Sequence, residues 1–268
     1  MSHNDYRYAM DLGILGRRAI VCGSSSGLGK ACAFALARSG VELTLAARTH
    51  ETLLATAEEI RAETRVAVEV VSADLTTEAG RSSVLAACPA PDILVTNSGG
   101  PRPGDFRNWG EAEWMNALRN NMISPIQMIR AVVDGMCERR WGRIINIASY
   151  SAKFPLPLLG LSNGARSGLI GFVSGLAREV APMGVTINNM LPGNFGTERL
   201  RNYAVNVGAS RSMPPSEVIA EMAANTPVGR IGDPAEFGAW CAFLASQFSG
   251  YVTAQNFVLD GGTYPGTY

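Results

Sequence analysis

Short apolar runs rich in branched residues alternate with longer stretches of helical period along nearly the whole chain. Strands are predicted at Ala19–Cys22, Val41–Ala46, Val66–Val71, Ile93–Thr96, Arg143–Ala148, Val185–Met190 and Asn256–Leu259. Most are continuously apolar rather than alternating, as in strands covered on both faces. Helical patterns lie between them at about 28–39, 50–63, 77–87, 111–139, 162–181 and 234–246. This alternation implies parallel pairing through right-handed crossovers. The expected fold class is α/β, a doubly wound sheet of about seven mostly parallel strands with helices on both faces. Pro125 should kink the 111–139 helix, and Pro234 behind Asp233 reads as a first-turn proline after an N-cap. The stretch 198–230, rich in Asn, Ser, Pro and Met, breaks the alternation beyond a strand's carboxyl end and reads as a mobile substrate lid. With no repeat or linker, the expected organisation is a polar tail over residues 1–10 and a single domain over 11–268.

Composition narrows the setting. The 268 residues are 47% hydrophobic with 29 glycines, which suits a compact core joined by tight turns. Lys+Arg and Asp+Glu balance at 23 each, so nucleic acid and membrane are not expected partners. The five cysteines, Cys22, Cys32, Cys88, Cys137 and Cys241, lie far apart with no CxxC pair. They suit buried free thiols in a reducing compartment better than disulfides or zinc. His3 and His50 lack ligand spacing, so no metal is expected. The N-terminus has no apolar signal-peptide core, and no apolar run is long enough to span a membrane. A cytoplasmic protein is expected.

Chemistry enters at Gly23-Ser24-Ser25-Ser26-Gly27-Leu28-Gly29, which closes the first strand and opens the first helix. Glycines there let the backbone turn tightly, approach a pyrophosphate and pack helix on strand, while the helix N-terminus faces the phosphate charge. The spacing, G-x-x-x-G-x-G, resembles that of the short-chain dehydrogenase/reductase family. Asp74-Leu75 resembles the family's adenine-contacting segment, and Asn97-Ser98-Gly99 its turn after the fourth strand. Pro192-Gly193 with Thr197 is similar to its Pro-Gly-x-x-x-Thr segment, whose threonine meets the carboxamide. Asp260-Gly261-Gly262 resembles its C-terminal Asp-Gly-Gly. The resemblance runs from Leu12 to Gly262 and implies a Rossmann-like single domain holding a nicotinamide dinucleotide. It places Gly23, Ser25, Ser26, Gly27, Leu28, Gly29, Asp74, Leu75, Asn97, Ser98, Gly99, Pro192, Gly193 and Thr197 at the cofactor. It also implies a small carbonyl or alcohol substrate, and a homodimer or homotetramer paired through the 111–139 and 162–181 helices. The wording Asn97-Ser98-Gly99-Gly100-Pro101 and Leu161-Ser162-Asn163 is similar to that of members labelled 3-oxoacyl-carrier-protein reductases.

At the end of the second strand an NAD enzyme offers a carboxylate to the ribose hydroxyl. Here the chain reads Ala46-Ala47-Arg48. With no carboxylate to repel a 2′-phosphate and a guanidinium able to grip it, NADP(H) is favoured and NAD(H) remains open. Ser26 stands where relatives preferring NADP often carry a second basic residue.

The catalytic positions depart from the family. Asn121 falls in its asparagine position and Ser149 in its serine position. Where the acid/base tyrosine and its lysine should follow, the chain has Ser162 and Arg166. A serine hydroxyl is a far weaker acid than a phenol, and each missing pKa unit costs about 1.4 kcal/mol. Arg166 is expected to hold the nicotinamide ribose and supply positive field, but not to donate its proton. Nearby, Lys153 is the expected proton donor or field, with Tyr150 as second candidate and Ser149 and Ser162 holding the oxygen. The plain alternative is a solvated Lys153 and a Tyr150 packed on the rim. The expected function is an NADP(H)-preferring oxidoreductase interconverting a carbonyl and a secondary alcohol; a catalytically silent dinucleotide-binding protein and a non-redox dehydratase or isomerase on the same fold are the alternatives.

Overall fold

The computed structural model describes residues 10–267. The expected tail, with His3, therefore lies outside the described residues except for Met10. Seven strands form one sheet in the order β3-β2-β1-β4-β5-β6-β7. They are β1 Arg18–Cys22, β2 Glu42–Ala47, β3 Val68–Ser72, β4 Ile93–Thr96, β5 Gly142–Ile147, β6 Val185–Pro192 and β7 Asn256–Leu259. Every pairing is parallel. The helices are α1 Gly27–Arg38, α2 His50–Glu63, α3 Glu78–Ala87, α4 Glu111–Leu118, α5 Ser124–Glu138, α6 Gly160–Val180, α7 Glu198–Arg211, α8 Pro215–Ala224 and α9 Pro234–Ala245.

Successive strand residues face opposite sides, so the apolar runs feed two cores. Ala19 and Val21 pack with Leu36 of α1, Leu53 of α2 and Phe237 of α9. Ile20 and Cys22 pack on the other face with Val84 of α3, Ile129 of α5 and Leu169 of α6. The chain reverses direction across the sheet between β1 and β4. Doubly wound sheets bind ligands at such a switch point, beyond the strands' carboxyl ends.

Two sequence expectations change. The 111–139 pattern does not run unbroken to a kink at Pro125. A π-helical turn at Arg119–Ile123 separates α4 from α5. The Ser124 N–H bonds back to the Arg119 carbonyl, and Pro125 has no N–H to offer. The Asn120 carbonyl this leaves over is taken by Ser98 Oγ at 2.9 Å. The 198–230 stretch, where no helical pattern was expected, contains α7 and α8. Their sequences hid them, because α7 buries only Ala204 and Gly208 and so has no apolar stripe. Thr197 caps α7, and Arg211 grips both carboxylate oxygens of Glu221 on α8 at 2.8 and 3.0 Å. As expected, Asp233 caps α9 with Pro234 behind it, accepting from the Ala235 N–H. No helix among the described residues is long and apolar enough to cross a membrane. All five cysteines are free, and all but Cys137 are buried.

A line of polar side chains, buried except for the half-buried Asn256, crosses β4 to β7. Thr96 Oγ1 donates to Asn146 Oδ1 at 2.6 Å, Asn146 Nδ2 to Asn189 Oδ1 at 3.0 Å, and Asn189 Nδ2 to Asn256 Oδ1 at 2.9 Å. Each pair sits directly opposite in the strand register. Asn146→Ala would orphan the Thr96 hydroxyl and the Asn189 carbonyl oxygen. It should destabilise the protein by roughly 2–4 kcal/mol in urea unfolding.

Candidate dinucleotide and catalytic site

The β1–α1 turn is built around close backbone approaches. Gly23 and Gly27 have φ of +59° and +57°, the left-handed region that favours glycine. A Cβ on Gly29 would collide with the Gly23 carbonyl oxygen, and one on Gly23 would come within 2.7 Å of Asn97 Nδ2. That amide donates to the Gly23 carbonyl at 3.1 Å, tying the end of β4 to the turn across the switch point. Leu28 and Gly29 continue into α1, whose N-terminus opens towards the turn.

A cleft of about 510 Å³ opens beside it. Its walls include Gly23, Ser25 and Ser26 from the turn, Arg48 after β2, Asp74 and Leu75 after β3, and Asn97, Ser98 and Gly99 after β4. Hydrogen bonds from Thr76 hold the Asp74 carboxyl below its ordinary range, with Arg48's charge adding a smaller push the same way. Asn121 also lines the cleft and is tied to Ser98, whose Oγ lies 3.2 Å from Asn121 Oδ1. Pro192 and Gly193 end β6, where a Gly193 Cβ would meet Asp260 at 2.6 Å. Thr197 lies against Gly27, its Cγ2 3.5 Å from where a Cβ there would stand. These last residues stand outside the cleft wall, as do Ser149, Tyr150, Lys153, Ser162 and Arg166.

The chain matches the family model described as short chain dehydrogenase over residues 17–207. It belongs to the short-chain dehydrogenase family. A 3-oxoacyl-[acyl-carrier-protein] reductase of Vibrio harveyi is 32% identical over 93% of this chain and 98% of its own. An acetoacetyl-CoA reductase of Cupriavidus necator is 35% identical over 65% of this chain and 67% of its own. Among solved structures, L-sorbose reductase from Gluconobacter frateurii, complexed with NADPH and L-sorbose, superposes with a TM-score of 0.91 at 28% identity, covering 96% of this chain and all of that one.

Within this short-chain dehydrogenase the catalytic positions carry unusual surroundings. Ser149 shares a 2.9 Å hydrogen bond with Ser151 Oγ and accepts from the Ser151 N–H. Ser162 and Arg166 lie on α6 and are buried, 6% and 7% exposed. Arg166 Nη1 donates to the carbonyls of Ile147 and Ala148, both at 2.8 Å, and Nη2 to that of Ser98 at 3.4 Å. Its Nε is buried without a partner. Burial first, with the charge of Arg199 second, brings this guanidinium down to about 10. It therefore stays a cation at neutral pH, fixed beneath the ends of β4 and β5.

Lys153 is half-buried rather than desolvated, its Nζ 5.2 Å from the centre of the Tyr264 ring. Tyr264 also meets Phe154 edge-on at 6.3 Å, so the C-terminal segment folds against the loop after β5. Burial pushes the Tyr150 phenol up from its ordinary value of 10, helped by Asp260 and Tyr203. Arg199 and Tyr203 of α7 and Tyr264 escaped sequence reasoning, because only chain folding brings them to the strand ends.

The Tyr150 shift has a stability consequence. Below pH 10 the phenol is protonated in both states and its burial costs nothing in charge. As pH climbs past the unfolded value towards the raised folded one, the unfolded chain releases its proton first and native stability falls. Urea unfolding at about pH 9 and pH 11 should show a smaller alkaline loss for Tyr150→Phe than for the unaltered protein.

Proposed function

We propose that this chain is an NADP(H)-preferring oxidoreductase interconverting a carbonyl and a secondary alcohol, with Ser162 and Arg166 in place of the family's tyrosine and lysine. Family membership and the NADPH held by its structural neighbour support the redox reading. The cofactor preference rests on one observation. Arg48 stands on the cleft wall just beyond β2, and that strand ends Ala46-Ala47 with no carboxylate to repel a 2′-phosphate.

When bound, the nicotinamide supplies or accepts the hydride. Gly23, Gly27 and Gly29 let the backbone close on the pyrophosphate, and Asn97 keeps that turn in place. Arg48 would hold the 2′-phosphate and Asp74 the adenine side. Ser149 and Ser162 offer hydroxyls to the substrate oxygen. Arg166 contributes fixed positive field beneath the strand ends, which favours negative charge developing on that oxygen. Lys153 is the proposed proton donor and Tyr150 the second candidate, whose burial pushes its phenol up and makes it a weaker acid than a free tyrosine. Exposed Trp114, Met115, Ile123 and Phe172 on and between α4 and α6 support association as a homodimer or homotetramer.

NADPH oxidation across ketones, aldehydes, 3-oxo thioesters and quinones is the test, with turnover on any of them expected. Silence despite demonstrable NADPH binding would favour the non-redox or purely binding alternatives. Arg48→Ala should raise the KM for NADPH about tenfold or more while changing that for NADH little. Lys153→Ala should lower kcat by about a hundredfold if the lysine is the donor, and unchanged turnover would exclude it.

A further inference from the structure

A second guanidinium, Arg199, joins Arg166 at the loop after β4. Arg199, on the first turn of α7, donates from Nη1 to the Gly100 carbonyl at 3.3 Å and from Nη2 to the Pro101 carbonyl at 3.4 Å. Arg166 donates to the Ser98 carbonyl in the same loop. The two guanidiniums thus approach one four-residue segment, 98–101, from opposite elements, α6 below and α7 above. They are close enough for Arg199's charge to disfavour the charge on Arg166.

Neither has a carboxylate partner among the described residues. Ion pairs among the described residues engage Arg17, Lys30, Arg38, Arg107, Arg211 and Arg230 instead. A guanidinium carries five N–H donors. Arg199's hydrogen bonds to main-chain carbonyls use only two of them, and Arg166 retains a buried Nε with no acceptor. Arg199 lies at the surface, where water screens the like charges in part, and an anion bound by its remaining N–H donors would neutralise what is left of the repulsion. The planar fork of Arg199 matches the two oxygens of a carboxylate.

We propose that the substrate carries a free carboxylate, held by Arg199 at the mouth of the site with Arg166 supplying field from beneath, so that the chain acts on an oxo acid and its hydroxy acid rather than on a thioester. The proposal deepens the oxidoreductase reading and rests on it for turnover, though not for binding.

The test compares acids with their methyl esters: acetoacetate, 2-oxobutyrate and phenylpyruvate, each against its ester, with NADPH and the full chain. The expected acid-to-ester ratio of kcat/KM is about tenfold or more, carried by KM. Arg199→Gln should collapse that ratio towards one through KM, and Arg199→Lys should restore part of it. Calorimetric binding of the same acids to protein saturated with NADP+ is the second arm and needs no turnover. Acid binding that Arg199→Gln abolishes, without turnover of any substrate, would uphold the carboxylate site and remove the redox reading. Turnover of neutral ketones without acid binding would do the reverse. Esters used as well as acids, a ratio untouched by Arg199→Gln, or an equal loss of NADPH affinity in that variant would each overturn the proposal.

Discussion

Thr96, Asn146, Asn189 and Asn256 form a hydrogen-bonded line, buried at all but its Asn256 end, across β4, β5, β6 and β7, and the carboxyl half of the sheet depends on it. Apolar strands alone tolerate slippage, since one Val or Ile packs much like the next. A slip between any two of these strands would bury an amide or hydroxyl without its partner, at about 1–3 kcal/mol for each group. The line therefore sets the register of four strands jointly. The strand ends come to one level, and from that level emerge the segments carrying Asn97, Ser149, Gly193 and Asp260.

Those ends present carbonyl oxygens with no further strand to bond. Arg166 answers this by reaching from α6 to the carbonyls of Ile147, Ala148 and Ser98. A cation buried without a carboxylate is costly. Here main-chain dipoles solvate it, and the same contacts clamp the exits of β4 and β5 together. Arg166 is therefore a structural tie, and on the proposed reading also a source of field. Arg199 on α7 reaches the same loop after β4, bonding to the carbonyls of Gly100 and Pro101.

The β1–α1 turn solves the other half of the problem. Gly29 brings α1 against the Gly23 carbonyl, and the same carbonyl accepts from Asn97. Ser98, the next residue, supplies the hydroxyl that takes the Asn120 carbonyl left over where Pro125 lacks an N–H. The loop after β4 is thus held by the glycine turn on one side and the π-helical turn on the other. This fixes Asn121, inside the π-helical turn, against the cleft.

Much of this was legible in the chain. Continuous apolar runs marked strands covered on both faces, and Ile93–Thr96 and Asn256–Leu259 match the observed β4 and β7 end for end. Glycines at 23, 27 and 29 announced a turn that only their missing side chains permit. The substitutions at Ser162 and Arg166 announced an altered acid. What stayed hidden had no local signature. α7 lacks an apolar face because it packs on α8 and the site instead of the core, and β3 starts at Val68, not Val66, because register, not composition, ends a strand. The sequence by itself determined the layered architecture and the dinucleotide turn, since both follow from local period and backbone freedom. Only the tertiary structure decided the asparagine line, the carbonyl cage around Arg166 and the approach of Arg199 and Tyr264. Each of these joins residues dozens of positions apart, and which groups meet is set by sheet order and strand register.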